Sequence, residues 1–456
     1  MRISSLVFAP ALAALLAGAL PALGDQAPVL ALGLGQVERA ALDHSPSLKA
    51  ARLQAGAAGD QSWVAMTGML PRLSVDGGWT YNTEVPDIQL VPRGPSFPFG
   101  DHTNYVVGPK LTWNLWDGGA AFHQWKASRA AEEAQWDQVR SQQRALLLEA
   151  RMDYFQTQLD LAQVRDLAED LLLSQSQERD IAERLAAGSS SRIDSLSAQN
   201  DVVQKRLALR QARSRLADAM RDLFSLTGLG GGLDPSLPAG LLDADKLPKG
   251  ISAPTLLLRL DDPRTSQARM AGAESAGLDE DNPRALALHE LAQAAQYQAD
   301  SMGAGHWPRA QVSAQSDLQY PDGPILENVN QNTFAAQVSL PLFSFGQVAH
   351  QVAQQEKLSR ADAQQEAQAR SDLKRDWDKA LNDLASLKDQ ESLESTSVSQ
   401  TAALEGLVYG SYQNGESTFL DVQAASTRAL AAKIQADQTQ VQVLIELAIL
   451  DSLAKH

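Results

Sequence analysis

The chain has no cysteine among its 456 residues. Disulfide bonds and thiolate metal sites are therefore excluded, and so is an anchor built on a lipidated N-terminal cysteine. Histidine is sparse, and its seven residues never form a His-Glu-x-x-His pattern. No nucleophile, base and orienting group stand at a recognisable spacing either. We therefore expect no enzyme activity, no cofactor and no resident metal.

Basic and aromatic residues are also scarce. Lysine and arginine number 39 against 55 aspartate and glutamate residues, which gives a formal net charge of −16. A chain without a basic face cannot neutralise nucleic-acid phosphates, so nucleic acid is not an expected partner. Only 5% of the residues are aromatic while 44% are hydrophobic. This composition favours long helices over one large compact core.

A long apolar run occurs only at the N terminus. Residues 1–24 combine an early Arg2, an apolar run over Leu6–Leu20 and small residues before Asp25. This arrangement is typical of a secretory signal peptide, so we expect the mature chain to begin near Asp25. No later run reaches the ~18 apolar residues that a membrane-spanning helix needs. The sequence therefore predicts no transmembrane helix.

The rest of the sequence contains one plan twice. Gly188 and Gly415 are 227 positions apart, and Asp194 and Asp421 keep the same offset without a gap. Upstream of these turns the offset changes once, because Pro71 and its counterpart Pro308 are 237 positions apart. The first copy therefore carries an insertion, which indicates a loop. We predict a tandem duplication with a first repeat at 25–228, a linker or equatorial segment at 229–281 and a second repeat at 282–456.

Each copy is predicted to open with a helix that leads into strands. In the first copy, Ser45 and Pro46 form a helix start, and the helix should run to about Met66. Leu73–Tyr81 then alternates apolar and polar residues, the period of a strand. Pro86–Gly100 holds four prolines and is predicted to be a loop.

Three further strands are predicted, at Tyr105–Trp116, Arg309–Tyr320 and Thr333–Phe343. All four strands have about the length that crosses a bilayer as a tilted β-strand, and four strands are too few to close a barrel. Lipid tolerates no open sheet edge, so a membrane location would require oligomerisation. The alternative is a small soluble antiparallel sheet, and the strands alone do not separate the two.

Very long helices follow the strands. Gly119–Ala187 has no proline and no internal glycine and would extend about 100 Å. After a turn at Gly188–Ser191, Arg192–Thr227 returns as its antiparallel partner, and the second copy repeats this with Val348–Asn414 and Thr418–Ala454. Spacings of three and four predict a coiled-coil seam. Its members are Leu148, Met152, Phe155, Leu159, Val164, Leu167, Leu171, Leu196, Val203, Leu207, Leu216, Leu223, Trp377, Leu381, Leu384, Leu393, Leu407 and Val408.

Between the copies, Gly228–Asp281 is rich in glycine and proline. This stretch is predicted to be a linker with a short helix near Thr255–Leu260.

These features together resemble the TolC-type outer-membrane efflux protein family. The shared features are the Asn/Ser-Pro helix starts, the Leu-Pro-like strand openings, the strand exits Leu-Trp-Asp-Gly-Gly and Leu-Phe-Ser-Phe-Gly, and the glycine turns. The turns read Arg-Leu-x-x-Gly-x-x-Ser-x-x-Asp and Tyr-x-x-Gly-x-x-Thr-x-x-Asp. They occur in this order twice, over nearly the whole mature chain.

The resemblance implies a mixed α and β fold in a homotrimer. Four strands per protomer would share a twelve-stranded barrel in the outer-membrane lipid, and long antiparallel coiled-coil helices would form a periplasmic α-barrel. The implied function is a passive exit duct that docks a periplasmic adaptor protein and an inner-membrane pump. The turn tips would carry this docking, at Arg184, Leu185, Gly188, Ser191, Gly415 and Thr418.

The resemblance also implies a periplasmic gate at Asp421, Asp194 and Tyr412. Asp421 falls on a family position that forms an acidic ring, and identical charges around a threefold axis select ions by charge. A second family aspartate is replaced by Ala424, and an arginine that helps to tie the family's gate is replaced by Ser417. Capping of the helix N termini is the alternative role for Asp194 and Asp421, and the two roles can coexist.

The sequence is therefore compatible with three functions. The leading one is the exit duct of a tripartite pump that exports small toxic compounds. Within the same class, the duct of a type I protein-secretion system carries the same turn motifs. From a different class, a soluble periplasmic coiled-coil adaptor or tether would use the same long helices.

Overall fold

The computed structural model describes residues 30–89, 92, 94–229, 258–323 and 325–455. The expected signal peptide at 1–24 lies outside these residues. The fold is mixed and dominated by helices, with one four-stranded sheet and two small two-stranded sheets among the described residues.

In chain order the elements are β1 (Leu30–Leu32), α1 (Leu34–His44), α2 (Pro46–Thr67), β2 (Arg72–Tyr81), β3 (Asp87–Gln89), β4 (Ser96–Pro98), β5 (Thr103–Trp116), α3 (Ala120–Ala186), α4 (Arg192–Thr227), β6 (Leu258–Leu260), α5 (Pro263–Met270), α6 (Ala273–Ala276), α7 (Pro283–Gly303), β7 (Arg309–Tyr320), β8 (Val329–Ser339), α8 (Gln347–Gln413) and α9 (Phe419–Leu453).

The large sheet is antiparallel and has the strand order β2-β5-β7-β8. Its register aligns Leu73 with Leu111, Leu111 with Ala314, and Ala314 with Phe334. Because side chains alternate along a strand, this register places most of the large apolar side chains of the four strands on one face. The edge strands β2 and β8 each have one neighbour in the described chain.

The last strand ends earlier than the sequence predicts. We expected Thr333–Phe343, whereas β8 is Val329–Ser339. Ser339 pairs with Arg309, the first residue of β7, so no partner backbone lies beyond it. Pro341 also lacks an N–H to donate. The other strand predictions are confirmed to within two residues at each end.

Two helices of 67 residues, α3 and α8, run from the sheet to the turns. Each follows a glycine with positive φ, Gly119 at +88° and Gly346 at +81°, a conformation that side chains rarely adopt. Neither helix contains proline, so nothing interrupts its hydrogen-bond ladder. The helix predictions for α3, α4, α8 and α9 are confirmed within one residue.

The helices form two packed levels. Next to the sheet, α2 packs on α3, α3 on α7 and α7 on α8, so the helices follow the order of the strands that they continue. Towards the turns, α3 packs on α4, and α9 packs on α8 and on α3. The main core lies between these levels and includes the fully buried Phe155, Leu223, Leu384, Leu444 and Leu447.

A buried tyrosine joins the two halves of the chain at this core. The Tyr154 hydroxyl donates to the Leu32 carbonyl at 2.9 Å and accepts from the Asp261 amide at 2.8 Å. It thereby holds β1 beside β6, which pair in parallel. Burial is the largest cause that raises the pKa of Tyr154, so its hydroxyl remains a donor. Arg151 lies nearby with Glu38 at 2.7 Å and Asp451 at 2.5 Å.

The expectations about two irregular segments are wrong. Of the short helix predicted near Thr255–Leu260, residues 255–257 lie outside the described residues, and Leu258–Leu260 is a strand that pairs with β1. The described part of the predicted linker also contains α5, whose Pro263 stands at the first helical position after the cap Asp262. The predicted loop Pro86–Gly100 contains the β3–β4 hairpin.

The predicted seam is partly wrong. Phe155, Val164, Leu167, Leu171, Leu216, Leu223, Trp377 and Leu384 are buried as expected. Six of its members are instead exposed, namely Met152, Leu196, Val203, Leu207, Leu393 and Leu407. The residues that α4 buries instead include Val202, Leu209 and Ala212, and Val202 lies one position before the exposed Val203. The long helices thus carry a second apolar face that the single chain does not cover.

Candidate functional site: the two helix turns and the exposed sheet

The two turns share one backbone geometry. Ser189 N–H donates to the Arg184 carbonyl at 2.8 Å, and Gly188 N–H donates to the Leu185 carbonyl at 3.0 Å. Glu416 and Gly415 make the equivalent bonds at the other turn, at 2.9 and 3.0 Å. These are Schellman ends, which place a left-handed residue after the helix. Gly188 and Gly415 have φ of +77° and +80°, and an added Cβ would meet no atom within 4 Å. The left-handed backbone conformation, and not a lack of space for a side chain, therefore favours glycine there.

A capping box starts each returning helix. Ser191 Oγ accepts from the Asp194 amide at 3.0 Å, and the Asp194 carboxylate accepts from the Ser191 amide at 3.4 Å. Thr418 and Asp421 repeat the arrangement, with the Thr418 amide at 2.9 Å from the Asp421 carboxylate. The Thr418 hydroxyl, followed by its amide, lowers the pKa of Asp421. Both aspartates therefore cap helices, and Asp421 stays ionised and exposed.

Tyr412 is a core residue of the turns. Its side chain is buried in a small cluster with Ile181, Ala198, Phe419 and Val422. Its hydroxyl lies 3.4 Å from Ser190 Oγ. In the part of the chain that the structure describes, no hydrogen bond joins Tyr412 to Asp194. These two predicted gate residues are therefore not joined directly within the chain.

Asp180 takes the place of that contact. Its carboxylate accepts from the Tyr409 hydroxyl at 3.0 Å and pairs with Arg184 at 3.3 Å. Arg184 also donates to the Gln413 carbonyl at 3.0 Å. Burial, and then the bond to Asp180, raise the pKa of Tyr409, so the tyrosine keeps its proton. Asp180 and Arg184 thus tie the end of α3 to the end of α8.

A second tie lies farther from the turns. Lys205 of α4 is largely buried and contacts Asp170 at 2.9 Å and Asp201 at 3.3 Å. Its ammonium also donates to Ser426 of α9 at 3.2 Å. A buried lysine is costly unless it is paired, so this cluster fixes α9 against the α3–α4 pair.

The structure thus brings the sequence-predicted turn residues to two neighbouring tips. Arg184 ties the tips together, Gly188 and Gly415 shape them, and Ser191 and Thr418 cap their returning helices. Leu185 is half-buried beside them. Ile193 and Leu420, at equivalent positions of the two turns, are 75% and 73% exposed. These two apolar side chains were missed because a single apolar residue at a helix start has no sequence signature.

A pair of carboxylic acids lies between α3 and α9, beside a cavity of about 550 Å³ that Arg165, Asp261 and Arg264 help to line. Burial, followed by the charge and hydrogen bond of Asp166, raises the pKa of Asp437 to about 7. The positive charges of Arg165 and Lys433 oppose this rise. Asp437 is therefore protonated over part of the physiological range.

Replacement of Asp437 by asparagine should remove a pH dependence of stability. The folded pKa of Asp437 lies above its unfolded value, so its contribution is complete below pH ~4 and is lost as the pH rises through about 7. We expect D437N to raise stability at pH 8 by about 1–2 kcal/mol, after allowance for solvent access. Thermal unfolding at pH 5 and pH 8 measures this. An equal effect of D437N at both pH values would contradict the assignment.

The apolar face of the large sheet is exposed. Leu73, Val75 and Trp79 of β2 are 68–72% exposed, and Phe334 and Val338 of β8 are 83% and 71% exposed. The opposite face carries Ser74, Asp76, Lys110, Gln315 and Gln331, according to the same register. A sheet with an exposed apolar face and a polar face is the reverse of a soluble sheet that packs on a core.

No helix in the ranges 30–229 and 258–455, apart from their gaps, is long and apolar enough to cross a membrane. No group of three or more histidine or acidic side chains in the same ranges is arranged to hold a metal ion.

The comparisons place the chain among known proteins. A family described as "Outer membrane efflux protein" matches residues 38–229 and 279–454. No curated protein matches the sequence significantly. Among solved structures, CusC, described in terms of transmembrane channel formation, has a TM-score of 0.73 at 19% identity and covers 93% of this chain and 92% of its own.

Two further structures show the same fold at low identity. The Campylobacter jejuni CmeC outer membrane channel has a TM-score of 0.73 at 14% identity, with 92% of this chain and 86% of that chain covered. The outer membrane protein VceC from Vibrio cholerae has a TM-score of 0.70 at 17% identity, with 92% and 95% covered.

Proposed function

Because the chain belongs to the outer membrane efflux protein family, we propose that it is the exit duct of a tripartite efflux pump. It would export small toxic compounds passively across the outer membrane. The observation that carries this proposal is the exposed apolar face of a sheet whose strands have 10, 14, 12 and 11 residues. Strands of this length cross a bilayer when tilted, and lipid is the solvent that suits an uncovered apolar face.

The duct is a homotrimer. The edges of β2 and β8 are open in one chain, and unpaired backbone groups in lipid each cost several kcal/mol. Pairing β2 of one protomer with β8 of the next closes the sheet, and three copies give a twelve-stranded barrel. The uncovered apolar side chains on the long helices, such as Val203, Leu393 and Leu407, support contacts between protomers below the membrane.

The two repeats of each chain form two corresponding sixths of this trimer. The segments 25–228 and 282–456 each supply a short helix, two strands, a long helix and a returning helix, which supports a tandem duplication. Together the helices of three chains form the wall of a periplasmic tunnel. After export directed by residues 1–24, the protein lies in the outer membrane with this long portion in the periplasm.

The turn tips dock the partners. Exposed apolar side chains at a tip, here Ile193 and Leu420, suit contact with another protein. Arg184, Leu185, Gly188, Ser191, Gly415 and Thr418 shape the same surface. The partners are a periplasmic adaptor and an inner-membrane pump.

The gate lies at the same end. Asp421 is exposed and ionised, so three copies around an axis form an acidic ring. Asp194 and Tyr412 support the two turns, through the capping box and the buried cluster respectively. The ring lowers the local energy of cations and raises that of anions.

Replacement of Asp421 by asparagine should weaken cation selectivity. Each protomer loses one charge, while the side chain still accepts a hydrogen bond from the cap. We expect the ring to stabilise a cation by on the order of 1 kcal/mol less, which corresponds to about a fivefold lower cation-over-anion permeability ratio. Reversal potentials in a planar bilayer under a salt gradient measure this. The matched control is D194N, which alters the same capping box at the other turn. Unchanged selectivity of D421N would remove the acidic ring from the account.

Two alternatives remain distinguishable by experiment. A protein-secretion duct shares the fold, and a pump or a secretion exporter co-purifying with the chain separates the two cargo classes. A soluble periplasmic tether needs a covered sheet, which the exposed face of β2 and β8 disfavours.

Deletion of residues 73–116 tests the membrane role of the sheet. The duct predicts that the intact protein fractionates with outer membranes and that the deletion variant loses membrane insertion. Intact protein in the soluble periplasmic fraction would favour the tether instead.

A further inference from the structure

A groove between α3 and α7 lies just below the sheet and carries an unusual order of side chains. On α3, Phe122, Trp125, Lys126 and Arg129 fall on one stripe because their spacing is three or four residues. Tyr297 of α7 faces this stripe. The groove encloses about 220 Å³.

The two cationic side chains of the groove, Lys126 and Arg129, make cation–π contacts with aromatic rings. Lys126 Nζ lies 4.7 Å from the centre of the Phe122 ring and 5.3 Å from that of Tyr297. The Arg129 guanidinium lies 5.9 Å from the centre of the Trp125 ring. Such contacts hold a cation in place without neutralising its charge. Lys126 and Arg129 thus offer two positioned positive charges.

Two acids lie at the other end of the groove. Glu133 pairs with Arg129 at 3.4 Å, and both side chains are more than half exposed, so this pair is weak. Glu290 of α7 lines the groove beside Glu133. Burial, followed by the charge of Glu133, raises the pKa of Glu290. A cation bound between these acids would relieve that repulsion.

The Phe122 ring connects the groove to the apolar face of the sheet, because its centre lies 5.9 Å from that of the Trp125 ring. Phe122 lines a neighbouring small cavity together with Trp113 and Trp116 of β5. The register places both tryptophans on the apolar face, with Trp113 opposite Val312 and Trp116 opposite Ala310. Lys126 stands about 9 Å along α3 from its first residue, and its side chain leans back towards the sheet. That depth is close to the headgroup layer, which is roughly 5–8 Å thick.

The fold itself does not require this arrangement. At the offset of 227 that relates α3 to α8, the stripe is replaced by small, aliphatic or acidic residues: Ala349, Val352, Ala353 and Glu356. The second repeat forms an equally long helix without the aromatic and basic residues. A ligand is a better explanation of the stripe than helix formation.

We propose that this groove binds phosphatidylethanolamine from the inner leaflet of the outer membrane. From the membrane downwards, the groove presents aromatic, cationic and anionic side chains in the order in which this lipid presents its glycerol, phosphodiester and primary ammonium. The phosphodiester contacts Lys126 and Arg129, and the ammonium donates to Glu133 and Glu290. The inference rests on the proposed function only in requiring the sheet to lie in the membrane.

Related headgroups fit less well. A phosphatidylglycerol headgroup has no ammonium and leaves the two acids without a cation. A phosphatidylcholine headgroup has a quaternary ammonium, which cannot donate a hydrogen bond to a carboxylate. The groove therefore selects for a primary ammonium next to a phosphate.

Native mass spectrometry of the delipidated, detergent-solubilised full-length protein tests this, with the three lipids titrated at identical acyl chains. We expect phosphatidylethanolamine to bind about tenfold more tightly than either competitor, as one charge-assisted hydrogen bond provides. K126Q should lower its affinity about tenfold, and E290Q should remove the preference over phosphatidylglycerol. K357Q changes an exposed residue of α8 and E356Q a half-buried one that pairs with Arg360, and both serve as controls outside the groove.

Equal retention of the three lipids by the wild type would overturn the proposal. So would a preference for phosphatidylglycerol, or K126Q and E290Q variants that bind like their controls. A conducting membrane protein without lipid preference would refute this inference alone. A protein that never enters membranes would refute the proposed function as well.

Discussion

Replacement of Gly108 by alanine should abolish assembly of the membrane sheet. Gly108 lies in the central strand β5, and a Cβ there would stand 2.1 Å from the Ser316 carbonyl oxygen and 2.7 Å from the Asp317 Cα. Both atoms belong to the backbone of β7, so the clash cannot be relieved by a side-chain rotation. The two strands must separate, at a cost of at least about 3 kcal/mol per protomer. In the proposed trimer three protomers share the barrel, so this cost applies three times.

The oligomeric mass in detergent and the yield in the outer-membrane fraction measure this effect. We expect G108A to give little or no trimer. The control is G78A in the neighbouring strand β2, where an added Cβ would meet only the Val106 side chain, at the ordinary distance of 3.6 Å. A G108A trimer in wild-type yield would show that β5 and β7 are not paired as described.

Replacement of Asp180 by alanine should shift the tips towards an open state. Asp180 accepts from Tyr409 and holds Arg184, which in turn reaches the Gln413 carbonyl. Loss of a charge-assisted bond between α3 and α8 should change the ratio of open to closed channels roughly tenfold. Single-channel recordings should therefore show a larger mean conductance for D180A than for the wild type.

Two variants make this experiment specific. E183A removes an exposed acid from the same turn of α3 and should leave conductance unchanged. Y412F removes a hydroxyl whose neighbour, Ser190 Oγ, lies 3.4 Å away, a weak contact, so we also expect little change. A conductance increase in Y412F but none in D180A would place the gate tie at Tyr412 and reject Asp180.

The sequence predicts the long elements well for physical reasons. Nothing interrupts α3 between two glycines with positive φ, and the returning helices begin at strong capping boxes. The alternation in β2 and β5 marks strands with an apolar face and a polar face, and this period is visible in the sequence. These signals come from residues that are close together in the chain, so a single sequence is enough to detect them.

Features that depend on residues far apart in the chain could not be predicted from the sequence. Strands β1 and β6 have three residues each and pair across more than two hundred positions, so no local period marks them. The seam prediction failed at Leu196 and Leu407 because a helix with apolar residues on two faces has an ambiguous period. Periodicity cannot tell which face meets the helix partner in the same chain.

The two helix turns show the same limit. The glycines and the capping aspartates were found, because turn chemistry fixes their spacing. Asp180 and Tyr409 were missed, since a hydrogen bond between residues 229 positions apart leaves no mark in the spacing. One available signal was that Asp180 precedes Arg184 by one helical turn, the spacing of an ion pair.

The central claim is that three chains form one conducting duct through the outer membrane. The most direct test is the oligomeric mass of the mature protein extracted from outer membranes, followed by single-channel recording of the same sample. The account predicts a trimer that conducts. A monomer without conductance would contradict it, because the open edges of β2 and β8 would then have no partner in the membrane.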